Sequence, residues 1–242
     1  KQRLIIEFQK QDRSGAYGFT QRSMAYNSNK IEGSTLTEKQ TASLFDTGTF
    51  FADDENTIFR AKDVEEMNGH FKMFNYMIKH LGEPLTADMI KGMHKNLKEG
   101  VFEDMANGYA VGDWKKRANY VGNITTALPQ EVPEKINSLV SEYNHKNTIE
   151  LKDIAQFHAM FENIHPFQDG NGRVGRMILL KQCLDADITP VIIRDENKLV
   201  YYRCLDCAQN QHDYSLLIDF FESEQIYYQE KVIPMLFDYD EL

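Results

Sequence analysis

Apolar spacing constrains this chain more than any other feature. In LKDIAQFHAMFENI, Leu151, Ile154, His158, Phe161 and Ile164 recur at steps of three and four, which predicts a helix. The same period returns in EVPEKINSLVSEY, with Pro133 as a first helical position and Ile136, Leu139, Val140 and Tyr143 as the stripe. A long helix is expected from Thr57 to Leu81, carrying Val64, Met67, Phe71, Phe74 and Ile78 and stopped by Gly82. Thr86 should cap LTADMIKGMHKNL, Thr20 should cap the segment FTQRSMAY, and Thr37 to Gln40 has capping-box form. NGRVGRMILLKQCL and LVYYRCLDCAQNQ read as further helices. Strand signals are few: GDWKKRANYVG, residues 112 to 122, suits one short hairpin, and PVIIR, residues 190 to 194, suits an extended run. The expectation is one all-α domain, a helical bundle with one short β-hairpin.

The totals narrow the function. The chain has 242 residues, 42% of them hydrophobic, enough for a substantial core. A net charge of −10 argues against nucleic acid as the main partner, yet a few local arginines can still hold a phosphate tail. No apolar run is long enough to span a membrane, and the opening KQRLIIEFQK is too polar for a signal peptide. Three sparse cysteines do not suggest a disulfide framework. These features together point to a cytoplasmic location. Cys204 and Cys207 form a lone C-x-x-C within a helical segment and read as packing residues, and His158 reads as a buried, hydrogen-bonded histidine.

The chemistry concentrates in HPFQDGNGRVGR, residues 165 to 176. Gly170, Gly172 and Gly175 fit G-x-G-x-x-G, but a dinucleotide fingerprint needs a buried strand before the glycines and a βαβ unit around them. Here a helix feeds them. Pro166 should end that helix at His165. Phe167 can pin the loop to the core, and Asp169 is a hard oxygen ligand suited to Mg²⁺ beside phosphates. Gly170-Asn171-Gly172 can converge backbone N–H groups on an anion at the start of the next helix. Arg173 and Arg176 lie three apart, on one face, within reach of one polyphosphate. Gly175 reads as a close-packing residue. A base, a carboxylate, an anion nest and two arginines make a set for phosphoryl or nucleotidyl transfer.

This stretch resembles the signature of Fic-domain proteins, H-x-F-x-[D/E]-G-N-G-R-x-x-R, and matches every fixed position. The resemblance implies a Fic (Fido) helical fold and transfer of AMP from ATP to a Tyr, Ser or Thr hydroxyl of a protein, with release of pyrophosphate. It implies His165 as general base, Asp169 as the Mg²⁺ ligand, Gly170, Asn171 and Gly172 as the phosphate cradle, and Arg173 and Arg176 as holders of the ATP tail. Gly172 favours AMP transfer over phosphate transfer, because the kinase-like branch carries lysine there. Tyr201 and Tyr202 resemble the aromatic pair near adenine. The accompanying asparagine is replaced by Gln209, or by Asn210 after a one-residue shift. Gly112, Trp114, Lys115, Lys116, Tyr120 and Val121 resemble the hairpin flap that docks the target by strand addition. A homo-oligomer and modification of the chain itself are further expectations from the resemblance.

Upstream, YNSNKIEGS resembles the family's inhibitory motif, [S/T]-x-x-x-E-[G/N], with Ser28 and Glu32 on one helix face and Gly33 as the stop. Met24 and Ile31 should pack that helix on the core. A Glu32 carboxylate within reach of Arg176 would compete with the γ-phosphate. The implied organisation is an N-terminal helical region, 1–82, carrying the inhibitory helix, then a catalytic core, 83–224, and a helical tail, 225–242. Two alternatives use the same site: another Fic-type transfer, of UMP or phosphocholine or the removal of AMP, and a non-enzymatic ATP-binding regulator.

Overall fold

The computed structural model of the chain describes residues 1–49, 52, 58–121 and 124–237. Among them the chain forms α1 (Gln2–Lys10), α2 (Ala16–Ile31), α3 (Glu38–Thr47), α4 (Ala61–Lys79), α5 (Ala87–Lys98), α6 (Phe102–Ala106), α7 (Val132–Asn144), α8 (Leu151–Ile164), α9 (Asn171–Asp185), α10 (Lys198–Gln211) and α11 (Ser215–Phe237), with one 3-10 turn at Asp195–Asn197. The fold is helical, as the spacing predicts. No helix among the described residues is long and apolar enough to cross a membrane.

The centre is α9. All its residues except Gly172 and Asp185 are buried, so the helix carries no solvent face and is surrounded by α2, α4, α5 and α8. One apolar cluster joins α4, α5, α7, α8 and α9 through Phe74, Ile90, Ile136, Phe161 and Met177. A second joins α8, α9, α10 and α11 through Ile154, Leu179, Tyr201 and Phe221. Both Met24 and Ile31 of α2 are buried, so the N-terminal helix is part of this packing.

Local signals held at several termini. Thr37 and Gln40 make the reciprocal capping box, and Thr86 accepts from the Met89 N–H. Others differ. Gly15, not Thr20, precedes the first turn of α2; Thr20 lies one turn inside and donates its hydroxyl back to the Ala16 carbonyl at 2.6 Å. The long helix begins at Ala61, after an extended Arg60, and ends at Lys79; Thr57 lies outside the described residues. Pro133 is the second residue of α7 rather than the first. PVIIR forms no strand: Val191, Ile192 and Ile193 are buried in a loop leading to the 3-10 turn.

The expected hairpin over 112–122 is also corrected. Extended pairing among the described residues is confined to β1 (Tyr120–Val121) and β2 (Ile124–Thr125), antiparallel, with Tyr120 opposite Thr125. Gly122 lies outside the described residues. The reason lies in the preceding backbone. Gly112 turns at φ 70° and donates to His94 Nδ1 at 3.0 Å, while the Lys115 N–H donates to the Pro166 carbonyl at 2.8 Å. Those donors serve α5 and the loop before α9 instead of a cross-strand partner.

Candidate active site

The signature forms the loop between α8 and α9 and the first turns of α9. The α8 helix stops at Ile164, and His165 takes a left-handed conformation (φ 52°, ψ 62°) instead of the extended one that a following proline favours. Its N–H still donates to the Phe161 carbonyl, and Nδ1 lies 3.3 Å from the Glu162 carbonyl oxygen. Burial pushes the imidazole down to about 4, so the ring is neutral near neutral pH. Phe167 is fully buried and stacks on His94 with ring centroids 3.9 Å apart. Asn171 fastens the loop to itself: its Oδ1 accepts from the Phe167 N–H at 2.7 Å and its Nδ2 donates to the Phe167 carbonyl at 2.8 Å. Its side chain is therefore committed, and only its backbone can face an anion at the helix start.

Gly170 precedes α9 in the left-handed region, at φ 85°. At Gly172 a Cβ would stand 2.4 Å from Glu32 Oε1 and 2.9 Å from Arg176 Nη1. The missing side chain is what lets a carboxylate and a guanidinium meet over the first turn of α9. Arg176 is buried; Nη2 donates to Glu32 Oε1 at 2.6 Å and to the Ser28 carbonyl at 3.1 Å, and Nε donates to Ser28 Oγ at 2.9 Å. Burial alone would raise the Glu32 carboxyl, but Arg176 and Arg173 hold it below its ordinary value. Glu32 ends α2, and Gly33 follows at φ 88°. Ser28 and Glu32 thus meet Arg176 of α9, while the Gly33 carbonyl accepts from Arg60 Nη2 at 2.6 Å.

Arg173 is placed differently. It is buried beneath the loop, with Nη1 2.5 Å from Glu66 Oε2 and Nη2 3.5 Å from Asp169 Oδ1. Asp169 also receives Lys98 Nζ at 2.8 Å. Burial alone would raise its carboxyl, but Arg173 and Lys98 hold it well below the usual range, so it is ionised. It stays about a third exposed. Lys98 is buried and touches three carboxylates, Glu66 at 2.5 Å, Asp104 at 2.7 Å and Asp169 at 2.8 Å. Sequence reasoning missed Glu66 and Lys98. Glu66 sits four residues before His70, on an α4 face that is otherwise buried, and a charge inside an apolar stripe was the available signal. It also missed Glu162, a buried carboxyl pushed up to about 7 by burial. A Cβ on Gly175 would lie 2.1 Å from its Oε1, so Gly175 is the close-packing residue its position implies.

Tyr201 and Tyr202 adjoin, with ring centroids 5.4 Å apart, but face different surroundings. On α10 the buried stripe is Tyr201, Cys204, Leu205 and Ala208, which turns Tyr201 into the core, where its hydroxyl meets His158 Nε2 at 2.7 Å. Tyr202, one position on, is exposed. Gln209 donates to the Ala159 carbonyl at 3.1 Å; Asn210 is exposed and bonds Asp206. His158 is buried and hydrogen-bonded, and Cys183, Cys204 and Cys207 are free thiols. Of the flap residues, Trp114 packs on Phe167 at 5.3 Å, Lys115 is buried, and Lys116 and Tyr120 are exposed.

Residues 84–183 match the family model described as Fic/DOC family. The protein adenylyltransferase Fic of Aedes aegypti is 28% identical over 186 residues, 76% of this chain and 36% of that protein. Protein adenylyltransferase fic-1 of Caenorhabditis elegans is 27% identical over 187 residues, 76% of this chain and 35% of that protein. The chain thus spans about a third of the length of the curated relatives it matches. Among solved structures, a Fic domain containing signaling protein from Bacteroides thetaiotaomicron aligns with a TM-score of 0.78 at 24% identity, covering 97% of this chain and 90% of that one. A fragment of Fic-1 from C. elegans aligns with a TM-score of 0.75 at 21% identity, covering 90% and 63%. At those identities the likeness concerns the fold alone. The segment that matches the Fic/DOC family, residues 84–183, thus holds the complete signature and lies within a helical fold like that of these Fic structures.

Proposed function

We propose that the chain is a protein adenylyltransferase held in check by its own α2. The observation that carries this reading is the meeting of Arg176 and Glu32 over the open face of Gly172, at the N-terminus of the central helix. Free N–H groups, the helix dipole and a buried guanidinium favour an anion there. A polyphosphate tail supplies that anion, and ATP is the substrate of choice given the adenylyltransferase names of the relatives.

His165 is the general base. Its neutral imidazole can accept the proton of a Tyr, Ser or Thr hydroxyl as that oxygen attacks the α-phosphorus and pyrophosphate departs. Gly172 offers a backbone N–H group, that of Gly170 being bonded to Asp169 Oδ1 at 2.7 Å, and Arg176 grips the tail once Glu32 leaves it. Arg173 acts mainly through Asp169 and Glu66, given its burial. Among the described residues, no three His, Cys, Asp or Glu side chains form a protein-only metal cage. Asp169 nonetheless suits Mg²⁺, because it is ionised, partly exposed and a single hard oxygen ligand of the kind that shares this ion with phosphates. Mg²⁺ held there would neutralise phosphate charge. The β1–β2 pair and exposed Tyr120 form the edge along which a target segment would align.

Glu32 is the brake. While it holds Arg176, the tail of ATP cannot settle, and in-line transfer tolerates little misplacement. His165→Ala is expected to abolish transfer of AMP while leaving ATP affinity within about twofold. Equal transfer by the variant would remove His165 from the mechanism.

A further inference from the structure

Lys115 is unusual in its surroundings. Its side chain is 2% exposed. Its Nζ donates to Asn119 Oδ1 at 2.6 Å, to Thr126 Oγ1 at 2.9 Å and to the Ile164 carbonyl at 3.4 Å, all neutral groups. A buried ammonium with neutral partners costs free energy that a hydrophobic residue would not. The contacts show what it holds. Ile164 O lies just before His165, and the Lys115 N–H donates to Pro166 O, just after it, at 2.8 Å. The next residues continue the seam: the Arg117 N–H donates to Gln168 Oε1 at 3.3 Å and Asn119 Nδ2 donates to Phe167 O at 2.9 Å. Thr126, which follows β2, is tied to the same ammonium. The ammonium therefore joins both ends of the β1–β2 pair to the carbonyl before the imidazole, and the backbone N–H of the same residue holds the carbonyl after it.

We propose that Lys115 is a positioning residue for His165, fixing the loop that bears it and placing a positive charge beside it. This rests on His165 being the general base. Burial pushes Lys115 itself down to about 8, with Glu131, just before α7, opposing, so the charge persists at neutral pH. For His165, burial is the largest influence, and the charges acting on it are Lys115 from the 112–119 segment, Glu32 from α2 and Asp169 from its own loop. Lys115 favours the neutral ring; the two carboxylates favour the charged one. Target docking at the strand pair would thereby be coupled to the geometry and protonation of the base.

The test is NMR titration of the histidine rings in the full chain, with His165 assigned by its loss in His165→Ala. Lys115→Met is expected to raise the His165 midpoint by about 0.5–1 unit, and Lys115→Arg to keep it within about 0.2 unit of the parent. Lys115→Gln is a second variant, close in length, that keeps a polar tip without the charge and should raise the midpoint too. It decides the matter if Lys115→Met does not fold. A His165 midpoint unmoved in the folded variants overturns the proposal. The acid limb of the transfer rate should move with the midpoint. If the midpoint shifts and that limb does not, the general-base reading fails while the role of Lys115 stands.

Discussion

Glu32→Gly perturbs the site at its most specific contact. The variant removes the 2.6 Å bond to Arg176 and opens the space over Gly172. Arg176 remains bonded to Ser28 through Nε and Nη2, so it keeps its place. A charge-assisted hydrogen bond is worth about 1.5–3 kcal/mol, and Glu32 is 34% exposed, which places this one toward the lower half. If that free energy opposes a productive polyphosphate, its removal raises transfer by about tenfold to fiftyfold. The same loss, with added backbone freedom at a helix end, lowers the apo unfolding temperature by about 4–8 °C. Saturating ATP should restore part of that shift. The assay is initial-rate incorporation of AMP, with thermal unfolding measured in parallel. Transfer unchanged in a folded Glu32→Gly chain would refute the competition argument. Glu32→Gln keeps the shape but not the charge and should fall between.

Three further outcomes follow from buried groups. Burial pulls the folded His70 and His158 down to about 3, and His94 and His165 to about 4, from 6.5. The unfolded chain then binds more protons across that interval, so their stability contribution is full above pH 6.5 and is lost as pH falls toward 3. Glu162, raised from 4.5 to about 7, acts oppositely, but four imidazoles outweigh one carboxyl; urea midpoints should drop steadily between pH 6.5 and 4. Gly175→Ala drives a Cβ to 2.1 Å from Glu162 Oε1 and should cost about 1–3 kcal/mol in urea unfolding; an unchanged midpoint would contradict the close packing of α8 on α9. Lys98→Met leaves Glu66, Asp104 and Asp169 without their shared cation and should cost about 3–5 kcal/mol, read in the same assay; full stability would mean those carboxylates are otherwise neutralised.

Much of this was legible in local sequence. Helical spacing marks α4, α5, α7, α8 and α9, and Thr37 and Thr86 cap as their side-chain chemistry dictates. Glycine and proline mark the loop that bears His165. What escaped depends on distant partners. Asn171 reads as a ligand until Phe167 is seen to take both of its side-chain bonds. Arg173 reads as the twin of Arg176, yet the pull of Glu66, more than a hundred residues earlier in the chain, commits it to the core. Lys115 reads as a residue of the docking flap because no local pattern shows that its ammonium reaches the Ile164 carbonyl. Tyr201 could have been recognised, since Tyr201, Cys204, Leu205 and Ala208 form one buried stripe by spacing alone.

Which phosphorus of ATP reaches the protein tests the central claim most directly. The purified Glu32→Gly chain, alone and with cell lysate, would be given Mg²⁺ with ATP labelled at either the α- or the γ-phosphate. The account predicts acid-stable protein label from the α position only, absent when His165→Ala is added. Label from the γ position, or α label that survives His165→Ala, would contradict it.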